Sequence, residues 1–75
     1  MSVEDTVKDI LNQVLDVKPE EIEEEKSLEE AYGVDSTEMV EISVGLKKAL
    51  KVEIGDNELT KTHSFNEIVG ILKSK

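Results

Sequence analysis

Cysteine is absent from this 75-residue chain. That rules out disulfide staples and thiolate metal sites. No apolar run approaches the roughly 20 residues that a membrane-spanning helix needs. Cationic charge is scarce: nine Lys and Arg stand against eighteen Asp and Glu, for a net charge of −9. Nucleic acid and anionic membrane surfaces carry the same sign and are poor partners for such a chain. The four glycines are scattered and form no phosphate-cradling loop. There is one histidine, His63, and nothing in the pattern joins it to a serine and an acid as a triad. It reads as a surface loop residue. Carboxylates abound, but acid–base chemistry needs a walled pocket, and the apolar residues are too few to build both a core and an enclosed site. Asp56-Asn57-Glu58 lacks the order of a calcium loop. Neither a metal site nor an enzyme is expected.

What remains is one small domain, residues 1–75. A domain of this size buries only about 60% of its unfolded surface and is marginally stable. Its charge is unevenly placed. Residues 1–46 hold 14 acids and 3 lysines, whereas residues 47–75 hold 4 acids and 6 lysines. An acidic first half suits partners with basic surfaces, although the run of glutamates over 20–30 reads first as a solvated, solubilising stretch. The N-terminus, Met1 to Asp5, is acidic where a signal peptide is basic. A soluble cytoplasmic protein is expected.

Val3, Val7, Ile10, Leu11 and Val14 fall on one face at about 100° per residue and predict a first helix ending near Asp16. Pro19 disfavours helix at Lys18. A long connection then runs from about Val17 to Val34, anchored by Val17, Ile22, Leu28 and Tyr32. Ser27 and Glu30 are placed to cap a short helical turn within it. A second long helix is predicted over 36–50, with Met39, Ile42, Leu46, Ala49 and Leu50 as its core stripe. Val40 and Val44 lie on roughly the opposite side, nearer Ser36, and suggest a small partner-facing patch. Val52 and Ile54 read as buried anchors of an extended segment, with a turn at Gly55 and a short helix over 56–61. Ser64 and Glu67 form a capping box, and Phe65, Ile68, Val69 and Leu72 follow the helical core pattern. The expected fold is an all-α bundle with three main helices, one short helix, and a long loop between the first and second main helices.

The most informative stretch is Gly33-Val34-Asp35-Ser36-Thr37. Asp35 and Glu38 make a capping box, which sets Ser36 in the first turn of a helix at an exposed end. No base neighbours it in sequence. Ser36 is therefore either an ordinary helix-start residue or a site of covalent modification.

Over nearly its whole length the chain resembles the acyl carrier proteins. Val17-Lys18-Pro19-Glu20-Glu21-Ile22 is similar to that family's segment after the first helix. Gly33-Val34-Asp35-Ser36 is similar to its modification motif, G-x-D-S-L. Val52-Glu53-Ile54 is similar to the segment before its third helix. The resemblance implies that a phosphopantetheinyl transferase attaches 4′-phosphopantetheine to Ser36, and that the arm's thiol carries acyl groups between enzymes of fatty-acid, polyketide or modified-lipid synthesis. It also implies acyl-transfer or synthase partners with basic docking patches that meet Asp35, Glu38 and Glu41 together with Val40 and Val44. A monomer is expected.

Several positions depart from the family pattern. Thr37 stands where leucine follows the serine and alters one apolar docking contact. Lys47 and Lys48 stand where fatty-acid carriers have acids, which points away from ordinary fatty-acid synthase partners. Gly55 replaces a frequent proline. Leu59 and Thr62 depart at the region that shelters cargo and predict an interior less open to an acyl chain, and Tyr32 replaces a usual leucine nearby. The reading is a specialised carrier. The alternatives are an aminoacyl or D-alanyl carrier, and an unmodified interaction module of the same fold.

Overall fold

The computed structural model describes residues 2–55 and 58–75. Its first helix, α1, spans Val3–Leu15 and starts where the Ser2 hydroxyl accepts the Asp5 N–H at 3.2 Å. Acids in its first turn, Glu4 and Asp5, favour the positive end of the dipole. It stops when Asp16 turns left-handed, at φ 58°, and returns its N–H to the Asn12 carbonyl. Lys18 then adopts the extended backbone usual before proline, and a short 3-10 turn covers Pro19–Glu21.

A five-residue helix, α2, follows at Leu28–Tyr32, with the Ser27 hydroxyl accepting the Glu30 N–H at 3.2 Å. Among the described residues the one short α-helix therefore lies inside the connection. The helix expected over 56–61 falls partly outside the described residues, and from Glu58 to Lys61 only turns and a bend are present. The longest helix among the described residues, α3, spans Ser36–Leu50. The last, α4, spans Phe65–Lys73 behind the Ser64–Glu67 capping box.

α1 packs against both α3 and α4. Gly45 permits the first of these contacts, because a Cβ there would sit 3.1 Å from the Ile10 Cδ1. The core gathers Val7, Ile10 and Leu11 of α1, Leu28 of α2, Met39, Ile42 and Leu46 of α3, and Phe65, Ile68, Val69 and Leu72 of α4. Val34, Ile54 and Leu59 reach it from the connections. Burying a side chain of this kind contributes about 1.5–3 kcal/mol, so these few residues supply most of the drive to fold.

The predicted stripes hold along most of their length and fail at their ends. Val3 and Val14 are half-buried. Thr6 is buried instead, and its hydroxyl donates to the Ser2 carbonyl at 3.1 Å. Ala49 is exposed and Leu50 half-buried. A helical angle gives direction, not depth, and at a helix terminus the neighbouring element need not extend as far.

The long connection is tied down by backbone rather than by apolar mass. Leu28 and Glu29 donate their N–H groups to the carbonyls of His63 and Lys61, at 3.0 and 2.9 Å. The Asn66 N–H donates to the Glu24 carbonyl at 3.1 Å. The Tyr32 hydroxyl accepts the Glu23 N–H at 2.8 Å, which gives this residue a role in holding the acidic run. Among the described residues no helix is long and apolar enough to cross a membrane.

Candidate functional site

Gly33 ends α2 in the left-handed region, at φ 65°, and returns its N–H to the Glu29 carbonyl. Only a residue without a Cβ adopts this conformation freely. Val34 follows and is 2% exposed, so it plugs the core and fixes the path of the turn. Asp35 then extends and caps α3: its carboxylate accepts the Glu38 N–H at 2.8 Å, while the Glu38 carboxylate accepts the Asp35 N–H at 3.2 Å. These constraints leave Ser36 as the first residue of α3, exposed to solvent.

Ser36 differs from the chain's other serines. The hydroxyls of Ser2, Ser27 and Ser64 each accept a first-turn amide, and that of Ser74 donates to the Ile71 carbonyl. Ser43 is half-buried. Among the described residues the Ser36 hydroxyl has no hydrogen-bond partner in the protein. His63 does not serve it: its Nδ1 accepts the Thr60 N–H at 3.0 Å and so belongs to the loop. The site offers a free hydroxyl without a base to activate it.

A groove of about 400 Å³ opens beside Ser36. One wall is α3, through Met39, Val40, Ser43, Val44 and Lys47. The other comes from Ile54, Gly55, Leu59, Thr60 and Lys61. Ile54 and Leu59 are buried, so the floor is apolar and the rim polar. The Lys61 ammonium lies 2.8 Å from a Glu29 carboxylate oxygen. Its pKa is pushed up by that hydrogen bond and charge first, and more weakly by Asp35.

The residues proposed for docking are all on the surface of α3 or at its cap, but they do not share one face. Val40 and Val44 are 61% and 40% exposed, the large apolar side chains most open to solvent among the described residues. Val40, Val44 and Lys47 edge the groove beside Ser36. Thr37, Glu41 and Lys48 are exposed and lie outside it. Asp35 and Glu38 are partly committed to the cap. The two lysines, read together from sequence, are thus separated by one helical step of about 100°.

Of the positions expected to shape a cargo space, Leu59 lines this groove. Thr62 does not: it is exposed, and its hydroxyl is paired with that of Thr60 at 2.7 Å. Tyr32 is likewise outside the groove. Sequence reasoning missed Ser43, Thr60 and Lys61. Ser43 was accessible to it, since it stands seven residues after Ser36 on the same side of α3. No local signal could have brought Thr60 and Lys61 across. Among the described residues no group of three or more potential ligands gathers as a metal site. The stretch Asp56-Asn57-Glu58 lies partly outside those residues.

A helical bundle that presents an uncommitted serine at a helix start, with acids beside it and a groove leading away, is built as a covalent carrier. Comparison with known proteins narrows this. The family model described as "Phosphopantetheine attachment site" matches residues 5–72. The acyl carrier protein of Wolinella succinogenes is 31% identical over 74 residues, which cover 99% of this chain and 97% of that protein. That of Campylobacter fetus subsp. fetus is 35% identical over 72 residues, covering 96% and 94%. That of Campylobacter curvus is 34% identical over 73 residues, covering 97% and 95%. The chain belongs to the phosphopantetheine-attachment family and is an acyl carrier, not an enzyme. Its cofactor is covalent 4′-phosphopantetheine, and the enzymes it engages are those of acyl transfer and synthesis. The residues present fit such a group: a free hydroxyl to anchor it and an apolar-floored, polar-rimmed groove of about 400 Å³ beside the anchor.

Proposed function

We propose that Ser36 is the attachment residue. The observation that carries this is the contrast among the six serines of the chain: Ser36 alone combines solvent exposure with an uncommitted hydroxyl among the described residues. The Gly33–Val34 turn fixes its position and the Asp35–Glu38 box fixes the start of α3. In the modification, Ser36 Oγ gives up its proton as its bond to phosphorus forms, the donor's phosphoanhydride bond breaks, and adenosine 3′,5′-bisphosphate leaves with that bond's electron pair. A partner transferase supplies the base and the coenzyme A donor. When bound, the arm supplies a terminal thiol that holds an acyl group as a thioester.

The chain's own residues then do the docking. Asp35, Glu38 and Glu41 present negative charge to basic patches on partner enzymes, and Val40 and Val44 supply apolar contact area beside Ser36. Thr37 replaces what would be a further apolar contact. Lys48 on the outer face and Lys47 at the groove introduce positive charge at the far end of α3, which disfavours enzymes built for an acid-lined helix. The cargo belongs to fatty-acid, polyketide or modified-lipid synthesis. The protein works as a cytoplasmic monomer.

Incubation with a promiscuous phosphopantetheinyl transferase and coenzyme A should add one phosphopantetheinyl group by intact mass. Peptide fragmentation should place it on Ser36, and Ser36→Ala should abolish it. Modification mapped to Ser43, or a chain left unmodified by several transferases, would overturn the assignment. The second outcome would favour an unmodified interaction module.

A further inference from the structure

His63 is half-buried, and its ring serves as a hydrogen-bond acceptor. A backbone N–H donates and never accepts. The Thr60 N–H at 3.0 Å therefore requires a lone pair on the His63 Nδ1, so the ring is neutral and carries its proton on Nε2. The two residues are also joined in the other direction, because the His63 N–H donates to the Thr60 carbonyl at 3.0 Å. A second proton on the ring turns Nδ1 from acceptor to donor. Two N–H groups would then face each other, and the seat is lost.

Thr60 holds a short free stretch of the groove wall. On one side, the Glu58 N–H donates to the Gly55 carbonyl at 3.1 Å and the Glu58 carboxylate accepts the Gly55 N–H at 2.8 Å. On the other side, Lys61 is stitched to α2. Its carbonyl accepts the Glu29 N–H at 2.9 Å, and its ammonium lies 2.8 Å from the Glu29 carboxylate. The His63 carbonyl accepts the Leu28 N–H at 3.0 Å. Leu59 and Thr60 stand between these anchored ends. Both line the groove, and Leu59 is 2% exposed.

We propose that His63 is a pH-sensitive latch on the groove wall that faces α3. The neutral ring holds Thr60 and so keeps Leu59 buried. The protonated ring frees both, while α1, α3 and α4 stay packed. The latched form binds no second proton at His63 and the released form binds one, so falling pH moves the population toward release. Histidine is the side chain whose charge ordinarily changes between about pH 5 and 8. The charged groups on the surrounding elements keep their charge over that range. From α4 this is Glu67, which accepts the Ser64 N–H and whose carboxyl feels His63. From α2 they are Glu29, paired with Lys61, and Glu30. The connection brings Glu24, whose carbonyl meets α4 at Asn66, and Lys26, paired with Glu23. From α1 it is Lys8, over the Phe65 ring. Glu67 offers the charged ring a partner once it leaves Thr60. The latch goes beyond attachment at Ser36 and does not depend on it.

Nuclear magnetic resonance on the full chain tests this between about pH 8 and about pH 5. At the higher pH the His63 ring should carry its proton on Nε2 and none on Nδ1. At the lower pH the Thr60 amide should lose about fivefold or more of its hydrogen-exchange protection, corrected for intrinsic rate, as the loss of one hydrogen bond implies. The Leu59 methyls should shift with the same midpoint as the His63 ring. Protection at Leu11, Leu46 and Ile68 should hold. His63→Asn supplies an acceptor oxygen that does not titrate, and should keep Thr60 protected at both pH values. His63→Ala lacks the acceptor and should leave Thr60 poorly protected at both. A proton on Nδ1 at the higher pH overturns the proposal. So does equal Thr60 protection at both pH values, a loss that persists in His63→Asn, full protection in His63→Ala, or loss at the core amides in step with Thr60. Should a variant fail to fold, the wild-type tautomer and the Thr60 and core amides decide the matter.

Discussion

α3 and α4 begin in the same way and serve different ends. Asp35-Ser36-Thr37-Glu38 and Ser64-Phe65-Asn66-Glu67 both close reciprocal capping boxes, and in both the box bonds are 2.8–3.2 Å long. The residue just inside the box is Ser36 in one and Phe65 in the other. Ser36 faces solvent, whereas Phe65 is 2% exposed at the centre of the core. The next residue repeats the contrast: Thr37 is exposed without a partner element, while the Asn66 backbone N–H is held by the Glu24 carbonyl of the long connection. One helix start is covered by the chain and the other is left open. A cap nucleates a helix. What the tertiary structure places over that cap decides whether it anchors the core or presents a reactive group.

The sharpest way to break the comparison is to truncate the first helical residue in each. Phe65→Ala should cost about 3–5 kcal/mol, most of the stability available to a domain this small, and should appear as loss of a cooperative denaturant transition. Ser36→Ala should leave that transition within about 0.5 kcal/mol while removing all mass gain. If both variants unfold alike, Ser36 is structural and the contrast is lost.

Removing the caps gives a smaller effect that separates the two roles. Asp35→Ala and Ser64→Ala should each cost about 0.5–2 kcal/mol. Only Asp35→Ala should also slow association with the transferase, most clearly at low salt, because Asp35 stands beside Ser36 in an acidic face. Equal association rates for both variants would confine Asp35 to capping.

The smallest effect is electrostatic. The Glu67 carboxyl is held below its usual range, first by the Ser64 backbone N–H and then by the Ser64 hydroxyl and His63. Its folded-state pKa lies below its unfolded value of about 4.3, so its contribution is complete above that value and is lost as pH falls through the folded one. Glu67→Gln should therefore flatten the acid limb of the stability profile below about pH 4.3. An unchanged acid limb would place the linkage elsewhere, with Glu4 and Glu58, whose pKa values are also lowered, next in line.

Much of this was legible locally. The caps at Ser27, Asp35 and Ser64, the end of α1 at Asp16, and the core positions of α4 all follow from contacts three to four residues apart. The exposure of Val40 and Val44 followed from their angle to the α3 stripe. Local reasoning failed where depth or a distant segment mattered. Ala49 has a core angle and an exposed side chain. Thr62 was expected at the cargo space, yet it turns to the Thr60 hydroxyl. Lys47 and Lys48 read as one charge reversal, and the groove claims only Lys47.

By itself the sequence determined the helices, their caps and the serine at the start of α3, because turn and capping chemistry acts within a single helical turn. It also determined the acidic character of that end. Four of the six serine hydroxyls are committed by hydrogen bonds to groups three residues away, and tertiary structure added to this only by half-burying Ser43. It decided the groove, since Ile54, Leu59 and Lys61 line it from a segment outside α3. The physical reason is range. Hydrogen bonds to a helix end are set by neighbours in sequence, whereas a groove is set by the shapes of elements that the chain brings together from far apart.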